Sequence, residues 1–190
     1  DAIGSSLGLY HFLRKLNKQV TVVVPDMVPR NLHFLSGMRY VVTYTQQPEK
    51  AIDLISKAGL IFCLDYNALH RIDKLSTAVE QAKGYKVLID HHLDPEPFCN
   101  LTISHPEISS TCELIFRAIW QLGYYRVMGR NSAEAIYTGM MTDTGNFTYN
   151  SNQPEIYNII AQLLKKKIDK DKIYTLACNT QTADKLLLNS

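Results

Sequence analysis

The stretches Leu60–Asp65 (LIFCLD) and Lys86–His92 (KVLIDHH) decide how this chain is read. Each is an apolar run too short for a helix, and each suits a strand covered on both faces. Each run ends in an acid, and the second adds two histidines. In open parallel sheets the carboxyl ends of the strands border the ligand crevice. Asp65, Asp90, His91 and His92 therefore fall where a strand hands its chain to the next loop. Polar side chains straight after a buried strand are costly to desolvate unless something pairs with them. A His pair on its own reads equally as ordinary surface; the acids in similar settings give this one its weight.

Upstream, Val20–Pro25 (VTVVVP) is a β-branched run and a third strand candidate. Pro48–Ala58 has helical period, with Pro at its start and Gly59 just past its end. Ala68–Ala82 is expected to be a further helix, stopping before Gly84. This βαβαβ alternation predicts an α/β fold: a doubly wound, mainly parallel sheet with helices on both faces. Asn100–Ser104 (NLTIS) reads as another strand. The remainder is expected to be helical. Ser110–Leu122 would be capped by Ser109 or Ser110 and ended by Gly123. A helix capped by Asn131 or Ser132 would run to about Thr142, and one opening at Pro154 would end in Lys165, Lys166 and Lys167. That lysine run suits a helix C-terminus, with nucleic-acid contact as the competing reading. Ile168–Ser190 also looks helical.

With 190 residues, 46% of them hydrophobic, the chain can bury one sizeable core. A net charge of +2 makes no case for duplex nucleic acid or an anionic membrane. No apolar stretch reaches the roughly 18 residues of a membrane span. The four cysteines form no CxxC pair; Cys63 and Cys112 sit in apolar stretches and read as reduced, structural thiols, which favours the cytoplasm. The chain opens without Met, so an upstream segment is expected.

Two more acids share the pattern. Asp1 opens DAIGSSLGLYHFL, where Gly4, Ser5 and Ser6 begin a helical apolar pattern whose N–H groups can face an anion. Asp143 ends the run AIYTGMM and enters TDTGNF, where Gly145 lets the chain turn sharply. Carboxylates gathered at one sheet edge repel unless cations hold them. Oxygen ligands with one or two imidazoles suit Mn²⁺, Mg²⁺ or Fe²⁺. Taken singly, each acid reads as a cap or turn residue.

In order, Asp1-Ala2-Ile3-Gly4-Ser5, Leu64-Asp65, Asp90-His91-His92 and Gly139-Met140-Met141-Thr142-Asp143-Thr144-Gly145 resemble the four signature segments of the DHH phosphoesterases. Ser109–Leu114 is similar to a further stretch these proteins share. Within the family the chain is most similar to the bacterial oligoribonucleases that also dephosphorylate adenosine 3′,5′-bisphosphate. The resemblance implies a DHH domain over residues 1–182, its first strand lying upstream. Residues 183–190 would begin a linker to a C-terminal substrate-binding domain. It implies two Mn²⁺ ions in the full-length protein and a metal-activated water as the attacking group.

Asp65 would bridge the ions, with Asp1, His91 and Asp143 completing the second ion's shell. An upstream His and Asp would ligate the first, so one better-formed site is expected in this chain. Asp90 would orient a neighbouring imidazole, and His92 would face the scissile phosphate. Arg71, Ser5 and Ser110 are the other expected substrate contacts. The implied substrate is short single-stranded RNA or a nucleotide phosphate. The alternatives are a cyclic-dinucleotide phosphodiesterase, an exopolyphosphatase or pyrophosphatase, a longer-strand exonuclease, and a nucleotide-binding module without catalysis. Whether chains pair as a homodimer is left open. His11, His33, His70 and His105 read as surface or locally bonded histidines, and Asn146, Thr148 and Asn150 as turn residues able to line a cleft.

Overall fold

The computed structural model describes residues 1–187, with side chains described through residue 178. Its centre is a parallel three-stranded ladder. Strand β3 (Leu60–Leu64) pairs with β4 (Tyr85–Asp90), setting Cys63 against Leu88. Strand β4 pairs in turn with β5 (Leu101–Ser104), setting Ile89 against Ile103. A second parallel ladder joins β1 (Val23–Val24) to β2 (Val42–Thr43).

Residues Lys86 to Asp90 of β4 are all buried, because both faces of the strand are covered. Val87 and Ile89 point into one core, shared with helices α1 (Ala2–Lys15), α4 (Thr111–Gln121), α5 (Arg130–Asp143), α6 (Pro154–Leu164) and α7 (Lys170–Leu187). Leu88 and Cys63 point the other way, toward α2 (Pro48–Lys57) and α3 (Ser76–Gln81). The period-2 alternation of a strand thus divides one apolar run between two cores. The α/β fold with helices on both faces follows directly from that run.

The local differences from expectation have physical reasons. Only Val23 and Val24 of the Val20–Pro25 run enter a ladder, and Pro25, having no N–H, cannot extend it. Their partner β2 is two residues long and left no pattern in the sequence. The helix expected over 68–82 is a 3₁₀ stretch, Leu69–Leu75, followed by α3. Leu69, Ile72 and Leu75 recur every third residue, which is the 3₁₀ period, and Asp73 breaks the helix at φ 47°. Helix α5 starts at Arg130 behind Gly129, so its cap precedes both expected caps, Asn131 and Ser132. The Ser132 hydroxyl is buried and donates to the Gly8 carbonyl at 2.7 Å, tying α5 to α1. Residues 183–187 of the expected linker continue α7, and 188–190 lie outside the described residues. Among the described residues no helix is long and apolar enough to cross a membrane.

Close helix packing fixes the first residue of the chain against the sheet edge. A methyl group on Gly4 would lie 2.6 Å from the Ala135 carbonyl oxygen, and one on Gly139 only 2.1 Å from Cys112 Sγ. Helices α1 and α5 therefore meet backbone to backbone, with the Cys112 side chain of α4 seated against both glycines, which brings the start of α1, the start of α4 and the end of α5 together.

Candidate metal centre

Four elements deliver one cluster. Asp65 follows β3 immediately, and His91 follows β4. Asp1 is the N-cap of α1, and Asp143 is the last residue of α5. His91 Nε2 stands 3.6 Å from Asp1 Oδ2, 3.7 Å from Asp65 Oδ1 and 3.4 Å from Asp143 Oδ2. One ligand atom each from Asp1, His91 and Asp143 fall within 4.8 Å of one another, as do those of Asp65, His91 and His92. His91 belongs to both groups.

Each member is held by the structure around it. The His91 Nδ1–H donates to the Ile108 carbonyl at 3.2 Å, which leaves Nε2 as the nitrogen facing the acids. Asp65 sits at φ 65°, a left-handed conformation that Asp and Asn tolerate better than most residues. Its N–H donates to the Ile89 carbonyl and its Oδ1 accepts the Thr111 hydroxyl at 3.0 Å. Asp1 lies across the N-terminus of α4: Oδ2 accepts the Thr111 N–H at 2.6 Å and Oδ1 the Cys112 N–H at 3.0 Å. The next N–H, from Glu113, goes to the Ser110 hydroxyl at 3.1 Å. Three donors at the start of α4 are thereby satisfied, and a carboxylate occupies the positive end of its dipole.

Asp90 is fully buried. Its Oδ1 accepts from His92 Nδ1 at 2.7 Å and its Oδ2 from the His92 N–H at 3.1 Å. This pair fixes the His92 tautomer and leaves Nε2 as the free ring nitrogen among the described contacts.

The other expected substrate contacts do not join the cluster. Ser5 is fully buried, and its hydroxyl donates back to the Asp1 and Ala2 carbonyls, both at 3.1 Å. Ser110 is equally buried and serves as the α4 cap. Both hydroxyls are committed to helix termini: Ser110 accepts an N–H of the first turn of α4, and Ser5 donates back to carbonyls three and four residues earlier. Arg71 is exposed on the 3₁₀ stretch, and among the described residues its side chain makes no contact with the cluster. Thr111 and Cys112 lie in the shared Ser109–Leu114 stretch, which gave them no role, and Ile108 lies just outside it. All three act through backbone or hydroxyl groups that leave little trace in a sequence.

The donor set fits a hard divalent cation. Ligands held about 2.1 Å from one ion lie roughly 3–4 Å from each other, which matches the 3.4–3.7 Å spacings around His91 Nε2. Among the described residues no Lys or Arg forms an ion pair with Asp1, Asp65 or Asp143. The side chains of Asp1 and Asp65 are only 1% and 12% exposed, so their charges need a partner other than water.

Burial pushes the Asp65 carboxyl above the usual aspartate range, and burial does the same to Asp143. With no cation bound, the folded state therefore keeps protons that the unfolded state has lost. Stability then falls as pH rises above about 4, through the window up to the raised values. The Asp65→Asn variant has no such proton, so its stability relative to the parent chain should increase across that window. Urea titrations of both proteins at several pH values, with chelator present, measure this; parallel pH profiles would contradict it.

A family model described as DHH family, N-terminal domain, matches residues 1–140. The chain is 32% identical over 164 residues to the bifunctional oligoribonuclease and PAP phosphatase NrnA of Thermus thermophilus, a match covering 86% of this chain and 46% of that protein. It is 27% identical over 157 residues to the cyclic-di-AMP phosphodiesterase PdeA of Listeria monocytogenes, covering 78% of this chain and 23% of that one. Among solved structures, an exopolyphosphatase-related protein from Bacteroides fragilis superimposes with a TM-score of 0.93 at 56% identity, over 94% of this chain and 53% of the other. The chain spans about half the length of the oligoribonuclease relatives it matches.

Proposed function

Because this chain belongs to the DHH family, as its N-terminal domain, we propose that it is the metal-binding half of a phosphoester hydrolase. Its substrates would be short oligoribonucleotides and nucleotide phosphates such as adenosine 3′,5′-bisphosphate, met in the cytoplasm. One observation carries this reading: three carboxylates converge on His91 Nε2 at the carboxyl edge of a parallel sheet.

Asp1, Asp65, His91 and Asp143 would hold the cation, with Asp65 the candidate bridge to a second. The oxygen-rich set favours Mn²⁺ or Mg²⁺, and Mn²⁺ is our choice because an imidazole is included. A bound cation of this kind acidifies a water and neutralises charge on phosphoryl oxygens. The chain's own groups do the rest. Asp90 keeps the His92 Nδ1 proton in place, so that Nε2 meets the substrate. As the imidazolium, its charge balanced by Asp90, His92 can donate from Nε2 to a phosphoryl oxygen or to the departing oxygen. Thr111 and the start of α4 keep Asp65 and Asp1 from turning away. The rigid mounting of these groups at two helix ends and two strand ends means little reorganisation is needed as charge develops.

The similarity to an exopolyphosphatase-related structure at 56% identity supports a second reading, hydrolysis of polyphosphate. A substrate panel on the full-length protein separates the two. We expect Mn²⁺-dependent release of nucleotide from diribonucleotides and of phosphate from adenosine 3′,5′-bisphosphate, with cyclic di-adenylate and polyphosphate turned over at least about tenfold more slowly. Preferential turnover of polyphosphate would move the assignment to the second reading. No turnover of any member with Mn²⁺ present would remove the hydrolase reading altogether.

A further inference from the structure

A cavity of about 420 Å³ lies on the outer face of α1, away from the metal centre. Its lining combines Tyr10 and Arg14 from α1 with Met38, Arg39 and Tyr40 from a 3₁₀ turn. Tyr10 and Arg14 follow Asp1 by nine and thirteen residues on the same helix, which is about 14 and 20 Å along its axis. The size is that of a small-molecule site.

The walls are built rather than incidental. The His11 Nε2–H donates to the Ser36 carbonyl at 2.8 Å, and the His33 Nε2–H to the Val28 carbonyl at 3.0 Å. Gly37 takes φ 92° where the chain folds back against His11; a methyl there would come 3.1 Å from His11 Nε2. Leu35, 3% exposed, closes the base of the cavity.

The charge and the surfaces point to one ligand chemistry. Among the described residues no Asp or Glu lines the cavity. Among the described residues neither Arg14 nor Arg39 forms an ion pair, so two guanidinium groups remain available to an anion. The Arg39 guanidinium lies over the Tyr40 ring at 4.7 Å from its centroid, and Tyr40 as a residue is 54% exposed. A guanidinium stacked on a tyrosine beside a second guanidinium offers a planar platform next to a bidentate anion site. Unpaired arginines would bind any phosphate; the exposed ring and Met38 beside them select one that carries a flat base.

We propose that this cavity is a second binding site for a nucleoside phosphate, its base against Tyr40 and its phosphate between Arg14 and Arg39. The ligand is either a free mononucleotide or a distal nucleotide of a strand whose scissile phosphate lies at the metal centre. The site itself does not depend on catalysis.

Calorimetry on the full chain in chelator, with adenosine monophosphate and with a five-residue oligoadenylate as probes, tests it. The comparison is with the Arg14→Ala/Arg39→Ala double variant. Both side chains are exposed, so the double variant should melt with the parent. A free-nucleotide site predicts that the monophosphate binds the parent and loses about tenfold or more in affinity in the variant. A strand site predicts the same loss for the oligoadenylate, whether or not the monophosphate binds. Tyr40→Ala should weaken the nucleotide but not inorganic phosphate. Affinities for both probes that are equal in parent and double variant, or no binding of either probe, would overturn the proposal. Because hydrolysis is not read, an inactive but binding protein would still support this site while refuting the hydrolase reading.

Discussion

Replacing Asp65 by Asn is expected to lower metal-dependent phosphoester hydrolysis by about a thousandfold or more, while the fold survives. A cation contributes several kcal/mol to stabilising a phosphoryl transition state, and about 1.4 kcal/mol corresponds to each factor of ten. Asp65 is the candidate shared ligand, so its loss would disturb every ion in the centre. Asn is a cleaner probe than Ala. The residue sits at φ 65°, which Asn tolerates, and an amide oxygen can still accept the Thr111 hydroxyl now bonded at 3.0 Å. The variant therefore removes charge and metal affinity while keeping the local backbone. Kinetics across the substrate panel and calorimetric Mn²⁺ binding check it. Unimpaired turnover, or unchanged Mn²⁺ affinity, would take Asp65 out of the centre.

The second large effect lies at a residue without functional groups. A methyl on Gly139 would stand 2.1 Å from Cys112 Sγ, 3.2 Å from Cys112 Cβ and 3.3 Å from Asp1 Oδ1. Gly139→Ala should then force α5 away from α4. Overpacking of this kind costs about 1–3 kcal/mol, or a fall in melting temperature of roughly 2–12 °C for a domain of this size. The same displacement would pull the Thr111 and Cys112 N–H groups from the Asp1 carboxylate, so Mn²⁺ affinity should fall with stability. Cys112→Ala removes the sulfur and leaves only a tight but tolerable carbon contact. The double variant is thus expected to regain both properties, with a coupling of about 0.5–3 kcal/mol in a double-mutant cycle. Strictly additive single effects would show that the clash is relieved elsewhere.

The parts of the fold legible from sequence are those where one residue pattern has one outcome. LIFCLD and KVLID are apolar along their whole length because both faces of β3 and β4 are covered, and each ends at its acid as the strand ends. The cap at Ser110 was legible because a hydroxyl three residues before Glu113 has an N–H to accept. Asp1, Asp65, His91 and Asp143 could be grouped only through their ordered segments, since nothing local relates residues so far apart in the chain. The cradle that orients Asp1 was not legible. It consists of backbone N–H groups 110 and 111 residues away, and every residue but proline has one. The bonds of the Ser5 hydroxyl were hidden for a related reason: a hydroxyl in a first helical turn is available to its own carbonyls before any ligand arrives. The presence of Arg14 and Arg39 in the lining of one cavity likewise exists only in three dimensions.

Diffraction from Mn²⁺-soaked crystals, recorded at wavelengths on either side of the manganese absorption edge, tests the shared-cation centre most directly. We predict an anomalous peak within about 2.0–2.3 Å of His91 Nε2 and of carboxylate oxygens from Asp1, Asp65 and Asp143. Manganese found only at other side chains, or bound with these four pointing away from it, would contradict the assignment.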